Sequence, residues 1–177
     1  MASTGNHRIA TVLYYGMRAL VIFAIGAFLW NRDWIDAVIA SFILFLMFLP
    51  SLLRRRYRLY LPFELEVAVL GFMFLTLFLG SLRDFYERFW WWDTFLHFQS
   101  GFLLGIIGFV LIYILNQSHP GKLTLNPFFI AFFAVCFSMA ASVVWEIYEF
   151  AADTLLGFNM QRDGLQDTMK DLILNAL

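Results

Sequence analysis

The sequence predicts an all-α protein, a polytopic transmembrane helical bundle of about five spans with a C-terminal amphipathic or truncated sixth helix. Two observations lead to this prediction. First, 62% of the 177 residues are hydrophobic and 14% are charged, whereas a soluble domain is about 25% charged. Second, the apolar residues form runs of about 20, the helix length that crosses a bilayer. A soluble enzyme and a nucleic-acid-binding protein are therefore excluded, and the net charge of −1 agrees with this.

The predicted spans are joined by short polar segments, and no linker divides the chain, so we expect one integral membrane domain over residues 1–177. The spans are 9–30, 34–53, 59–82, 94–115 and 125–150. Bulky residues follow the first apolar run, which favours an uncleaved signal anchor. Arg18 interrupts this span, and we expect it to extend to the cytoplasmic interface. In the third span, Glu64 and Glu66 are expected to meet the basic run 54–58 or water.

The tail predicts an amphipathic helix over residues 164–177, with Asp163 as its N-cap. Asp167, Asp171 and Asn175 recur every four residues on one side, and apolar residues occupy the other. This helix either lies flat at the outer interface or begins a sixth span that the chain end cuts short. The simplest alternative for the two aspartates is a solvated face.

The charge distribution predicts the orientation. Four arginines lie within the short segment 54–58, and such clusters are retained on the cytoplasmic side, so we expect the N-terminus to be cytoplasmic. All six tryptophans fall at the opposite interface as an aromatic belt. That interface is therefore the outer one.

Ionisable residues at the ends of the last two spans are the most informative feature, because a charge in hydrocarbon is costly unless it is paired. Steps of three and four residues place one set on a single face of the fourth span: Asp93, His97, Gly101, Gly105 and Gly108. The fifth span has a matching set: Ala134, Ser138, Ser142, Glu146, Glu149 and Asp153. Small residues allow antiparallel neighbours to pack closely. The sequence therefore predicts that His97 and Glu146 lie at similar depth in one site.

This concentration of carboxylates requires protons, arginine partners or a metal ion to neutralise it. The predicted metal ligands are His97, Glu146, Glu149, Asp153, Asp167 and Asp171, with Asp93 and Asn175 as outer candidates. Oxygen ligands with one imidazole suit Mg²⁺, Mn²⁺, Fe²⁺ or Zn²⁺. If the protein is an enzyme, Glu146, Glu149 and His97 are the candidate catalytic residues. The alternatives are that His97 bonds Asp93 and that the glutamates pair with arginines of the outer loop.

Three motifs between residue 93 and the chain end carry a family resemblance. They are Asp93-x-x-x-His97-x-x-x-Gly101, then Trp145-Glu146-x-x-Glu149 followed by Gly157 and Gln161, and Gly164-x-x-Asp167-Thr168-x-x-Asp171-Leu172-x-x-Asn175. This half of the chain resembles the YjdF-like bacterial inner-membrane proteins and is more distantly similar to the VanZ-like family. The resemblance implies a multi-pass protein of the bacterial cytoplasmic (inner) membrane and, through the VanZ-like side, a link to the cell envelope.

These observations support three hypotheses about function. The first is a membrane protein that binds a divalent metal ion near the outer leaflet and acts on a lipid-linked or cell-envelope substrate. The second is a small proton- or cation-coupled transporter or channel, in which the same residues form a relay. The third is a structural or accessory membrane subunit. The expected partners are membrane lipid and a second helix or a second copy of the chain, docked through Gly101, Gly105 and Gly108.

Overall fold

The computed structural model describes residues 3–57, 62–118, 126–161 and 164–176. Within these ranges every regular element is helical, which confirms the predicted all-α class. The helices are α1 (Ser3–Asn31), α2 (Trp34–Tyr57), α3 (Phe63–Met73) with its π-helical continuation Phe74–Leu82, α4 (Phe85–Arg88), α5 (Trp92–Ser118), α6 (Pro127–Leu156) and α7 (Leu165–Ala176). Arg58 of the basic run and the predicted N-cap Asp163 lie outside the described residues.

Five helical stretches are long and apolar enough to cross a membrane, as predicted. They are Arg8–Asn31, Trp34–Arg56, Phe63–Leu82, Trp92–Asn116 and Pro127–Leu156. The last one continues beyond the predicted end at residue 150, because Glu146 and Glu149 are buried and do not end the helix. It stops at Gly157, whose φ of 72° is the left-handed conformation common after helix ends.

Contacts between residues divide the chain into two compact units, Met1–Trp92 and Asp93–Leu177. In the first unit, α1, α2, α3 and the π-helical segment surround an apolar core. Its buried members are Tyr14, Val21, Ile43, Met47, Leu70, Phe74 and Phe78. The core fixes these three spans against one another.

Arg18 lies inside this first unit and does not extend to the interface, so that expectation is wrong. It is only 6% exposed. Its Nη2 donates to the Met47 carbonyl at 2.6 Å and to the Ser51 hydroxyl at 3.1 Å. The guanidinium also lies over the rings of Tyr14 and Phe48, at 4.0 and 4.2 Å. Charge-assisted hydrogen bonds and cation–π contacts therefore replace water around it.

Glu66 completes this polar network and connects all three spans. Its Oε1 accepts hydrogen bonds from the Tyr14 hydroxyl at 2.8 Å and from the Ser51 hydroxyl at 2.5 Å. Its Oε2 lies 3.0 Å from Arg54 Nη1. The prediction that Glu66 meets the basic run is therefore confirmed.

The second unit consists of α5, α6 and α7, and two of the predicted stripe glycines provide its close contacts. A Cβ atom on Gly101 would lie 2.6 Å from the carbonyl oxygen of Asn175 in α7, and one on Gly108 would lie 3.0 Å from Phe137 Cβ in α6. The Ser138 hydroxyl also donates to the Gly101 carbonyl at 2.9 Å. A Cβ on Gly105, in contrast, would meet nothing within 4 Å.

Helix α7 turns its polar side inward and its apolar side outward. Asp167, Asp171 and Asn175 are buried, whereas Leu165 and Ile173 are exposed. The alternative of a solvated face for the two aspartates is therefore wrong. An outward apolar face is the reverse of what a water-exposed helix shows, and it is the arrangement expected where lipid surrounds the protein.

Candidate metal centre

Side chains from all three helices of the second unit meet around His97, near the start of α5. The imidazole is 7% exposed. Its Nε2 lies 3.6 Å from Asp93 Oδ1 and 3.7 Å from Asp171 Oδ2. Its Nδ1 lies 4.0 Å from Glu146 Oε1. The structure thus brings His97 and Glu146 together, as the two helix stripes predict, and α7 adds Asp171.

These separations are close to those between two ligands of one metal ion. They exceed the range of about 2.7–3.2 Å for a nitrogen–oxygen hydrogen bond. Two ligand atoms each about 2.1 Å from a shared ion lie about 3.0–3.5 Å apart. A shift of a few tenths of an ångström would bring these atoms to ligand spacing.

Among the described residues, two groups of three could hold an ion, and they share His97. One consists of Asp93, His97 and Asp171, and the other of His97, Glu146 and Glu149. In each group one ligand atom per residue lies within 4.8 Å of the others. Carboxyl groups therefore lie near both nitrogens of the imidazole, with Asp93 and Asp171 near Nε2 and Glu146 near Nδ1.

Glu146 is the carboxylate with the greatest need of a counter-charge. It is 4% exposed, and within the described residues neither of its oxygens accepts a hydrogen bond of good geometry. Gln161 and Thr168 lie near enough to interact with it, but neither makes a well-formed hydrogen bond with its oxygens. The Gln161 amide donates to the Thr168 hydroxyl at 2.7 Å. A buried carboxylate in this state is costly and requires a proton or a cation.

Asn175 determines which nitrogen of His97 is available. Its amide nitrogen donates to the Asp171 carbonyl at 2.9 Å, which fixes the orientation of the amide. The same nitrogen lies 3.1 Å from His97 Nδ1, so Nδ1 accepts and the ring proton of neutral histidine is on Nε2. The Ser100 hydroxyl, 2.7 Å from Asn175 Oδ1, holds the amide from the other side. Nε2–H therefore faces the carboxylates of Asp93 and Asp171.

Asp171, which lies outside the membrane-spanning helices, is 1% exposed. Burial raises the pKa of its carboxyl to about 8, and the neighbouring carboxylates of Asp93 and Asp167 act in the same direction. Its Oδ1 has no hydrogen-bond partner among the described residues. The second unit therefore carries an acidic group that retains its proton near neutral pH.

Other predicted ligands are engaged in different contacts. Both oxygens of Asp153 accept backbone N–H bonds, from Met160 at 2.7 Å and from Gln161 at 2.8 Å, which stabilises the turn after α6. Asp167 is buried, and its Oδ1 lies 3.8 Å from Lys170 Nζ. Neither belongs to the two three-residue groups around His97.

One residue of the site is absent from the predicted set. Ser100 lies one helical turn after His97 and contacts both the His97 carbonyl and the Asn175 amide. The spacing of three residues from a candidate ligand is the signal that could have indicated it. Glu149 also has a positioning contact, because Trp145 Nε1 donates to its Oε1 at 2.9 Å.

Comparison with known proteins gives a family match and a relative of known sequence. The chain matches the family described as "Predicted membrane protein (DUF2238)" over residues 11–177, which include every residue of the site. It is 33% identical over 124 residues to a Thermotoga maritima protein described as uncharacterized. The match covers 66% of this chain, and the chain spans 58% of the length of that relative. No solved structure gives a significant match. The family match agrees with the resemblance to YjdF-like proteins, and the VanZ-like resemblance stays a prediction.

Proposed function

The chain belongs to the DUF2238 family of predicted membrane proteins, and we propose that this multi-pass protein binds one divalent metal ion through His97, Glu146 and Glu149. The observation that carries the proposal is the Glu146 carboxylate, which is buried and accepts no hydrogen bond of good geometry from the described residues, with Thr168 and Gln161 as its polar neighbours. A divalent ion bound there would supply the missing counter-charge. His97 Nδ1 lies 4.0 Å from Glu146 Oε1, and one ligand atom each of His97, Glu146 and Glu149 lies within 4.8 Å of the others.

The protonation of His97 favours this group over the one with Asp93 and Asp171. A metal ligand must offer a lone pair, and in this tautomer Nδ1 is the nitrogen that carries one. That lone pair accepts from the Asn175 amide in this structure, so the ion would replace the Asn175 hydrogen bond when it binds. The Nε2–H then points to the two aspartates, at 3.6 and 3.7 Å. A metal-bound histidine commonly donates its second N–H to a carboxylate, which orients the ring and raises its basicity. Asp93 would do this after moving a few tenths of an ångström closer than its present 3.6 Å.

The ligand set also suggests which ions bind best. Carboxylates bind Mg²⁺ and Mn²⁺ well, whereas an imidazole favours Fe²⁺, Zn²⁺ and other borderline ions. With two glutamates and one histidine, we expect Mn²⁺, Fe²⁺ or Zn²⁺ to bind more tightly than Mg²⁺. Such an ion would polarise an oxygen or activate water on a lipid-linked or cell-envelope substrate, with His97, Glu146 and Glu149 as the candidate catalytic residues.

Elemental analysis and metal titration of the detergent-purified protein test the proposal. The wild-type protein should bind one equivalent of ion. Glu146→Gln has the same size without the charge, and it should weaken binding by more than about 100-fold, because loss of an outer contact alone weakens metal binding by about 10–100-fold. Wild-type protein that binds none of the four candidate ions contradicts the proposal, as does an unchanged affinity in Glu146→Gln.

Asp153→Asn is the matched control. It also converts a carboxylate of α6 to an amide, but its oxygens accept backbone N–H bonds in the turn after the helix. Its metal affinity should equal that of the wild type. A loss as large as that of Glu146→Gln would show that any acidic substitution at this end of α6 disturbs binding, and it would remove the support for a specific ligand.

We also propose that the protein resides in the bacterial inner membrane with a cytoplasmic N-terminus, so that the site lies towards the outer leaflet. The cluster of arginines at the end of α2 supports this orientation. Topology reporters fused after Asn31 and after Tyr57 test it. The first should report an external position and the second a cytoplasmic one, and the reverse result would contradict the orientation.

A further inference from the structure

An apolar groove in the second unit leads to the residue that contacts His97. It has a volume of about 310 Å³ and is formed by α5, α6 and the end of α7. Phe98, Phe102 and Val135 are among its walls, and all three are exposed. Asn175 lines the groove and also approaches His97 and Asp171.

The groove exists because one glycine of the α5 stripe has no packing partner. Gly101 and Gly108 are covered by Asn175 and Phe137, but a Cβ on Gly105 would meet nothing within 4 Å. Gly105 lines the groove. The missing side chain therefore leaves a space that is open to the surroundings of α5 and α6, and those surroundings are hydrocarbon because both helices are membrane spans.

The groove and the site are arranged like the chain and the headgroup of a lipid, with an apolar part next to a polar part. The groove residues on α5 extend from Phe98 to Phe109, about 16 Å along the helix at about 1.5 Å per residue. His97 lies near the start of the span Trp92–Asn116, so the polar end is close to the membrane surface and the apolar end reaches past the middle of the span. A methylene group fills about the same volume as a water molecule, about 30 Å³, so the groove accommodates about ten methylenes.

The charge of the unit selects among lipid headgroups. Its described residues include six acidic side chains and one basic one, Lys170. Without Asp171, five of these side chains carry a formal negative charge, and Lys170 and a divalent ion together offset three of the five, so the described residues still repel an anionic headgroup. A headgroup with an ammonium group would be attracted.

From these observations we propose that the groove holds a hydrocarbon chain of a zwitterionic, amine-bearing phospholipid, with its headgroup at the His97 end. The inference rests on the proposed function, because the ion and its carboxylates form the polar end of the site. The headgroup determines which lipid binds, since a lipid chain gains little by moving from bilayer hydrocarbon to an apolar groove. After extraction from the bilayer, the groove shields the chain from water and so contributes to lipid retention. The groove determines the position of the lipid, so that a headgroup oxygen lies near the ion.

Lipid retention by the full chain tests the proposal. The protein is reconstituted in nanodiscs of equal parts phosphatidylethanolamine and phosphatidylglycerol, extracted in mild detergent, and analysed by native mass spectrometry and elemental analysis. The wild type should retain one phosphatidylethanolamine. Gly105→Leu places a side chain in the groove at a position where the added Cβ meets nothing within 4 Å. This variant should retain several-fold less lipid with unchanged metal content. Gly26→Leu, at a glycine of α1 that also has open space around it, is the matched control and should behave as the wild type.

The outcomes separate this proposal from the proposed function. Equal lipid retention in Gly105→Leu, enrichment of phosphatidylglycerol, or a dimer in place of bound lipid would overturn the lipid assignment while the metal content still reports on the ion. Wild-type protein that retains phosphatidylethanolamine without metal would support the groove assignment and contradict the metal proposal. In that case the ammonium group would contact the carboxylates directly.

Discussion

Glu146→Gln should stabilise the metal-free protein and abolish its stabilisation by metal. The carboxylate is buried, and neither oxygen accepts a well-formed hydrogen bond from the described residues. Without an ion, the buried carboxylate raises the free energy of the folded state but not that of the unfolded state, in which water surrounds the group. Glutamine has nearly the same shape but no charge, so the substitution removes most of that cost. With an ion, the same carboxylate becomes a ligand that glutamine replaces poorly.

The expected magnitudes follow from these two roles. A buried polar group without a partner costs about 1–3 kcal/mol, and charged groups lie at the upper end or above it. For a chain of this size 1 kcal/mol shifts the melting temperature by about 2–4 °C, so the variant should melt about 2–12 °C higher than the wild type in chelator. Metal at about 100 times its dissociation constant stabilises the wild type by about 2.7 kcal/mol. That corresponds to a rise of about 5–11 °C, which the variant should lack.

Thermal unfolding followed by tryptophan fluorescence, in EDTA and in excess Mn²⁺ or Zn²⁺, measures both effects on the same samples. A variant that melts lower than the wild type in EDTA would show that the carboxylate makes favourable contacts, which would refute the reasoning. An equal rise with metal in both proteins would show that the ion binds elsewhere. Asp153→Asn, as control, should melt lower in both conditions because it weakens two hydrogen bonds to backbone N–H groups.

Three further predictions test other parts of the structure. The folded-state pKa of Asp171 is raised from 3.8 to about 8, so its contribution to metal-free stability is fully present below about 3.8 and is lost as pH rises through about 8. Melting curves in EDTA should show this decline, and Asp171→Asn should flatten it; an equal decline in both proteins would contradict the assignment. Gly101→Ala should lower the free energy of unfolding by about 1–3 kcal/mol, because the added methyl group overpacks the contact with α7. Gly105→Ala should raise the free energy of unfolding by up to about 1 kcal/mol, because alanine favours the helix more than glycine does. Similar changes at both positions in urea or thermal unfolding would contradict the packing described. Glu66→Ala should destabilise by about 3–5 kcal/mol, because it leaves Arg54 and its hydroxyl partners without the buried acceptor, and metal content should stay unchanged; loss of metal in a folded variant would show that the network acts on the site.

Much of the fold and part of the site follow from sequence pattern. The five apolar runs and the stripes of α5 and α6 depend on residues three or four positions apart, and such spacing converts directly into one helix face. His97 and Glu146 could therefore be predicted as neighbours once α5 and α6 were taken to be antiparallel. The observed distance of 4.0 Å between Nδ1 and Oε1 agrees with that reasoning.

The features that the sequence could not reveal depend on distant partners. Arg18 is held by Met47 and Ser51, which are 29 and 33 residues away, and local pattern does not distinguish such contacts from extension to the interface. The role of Asp153 depends on the turn that returns the chain to it seven and eight residues later. Helix α7 has the same periodicity whether its polar side faces water or protein. The side that faces inward is therefore known only from the residues that the helix packs against.

The inward polar face of α7 also has a consequence for the order in which the protein is made. This helix follows α5 and α6 in the chain and therefore leaves the ribosome after them. The partners of its polar side chains, His97 and Ser100 among them, lie on α5, and the backbone of Asn175 fits only over Gly101. Its docking therefore follows the synthesis of α5 and α6, and the site is complete only once α7 has been made and has packed against them.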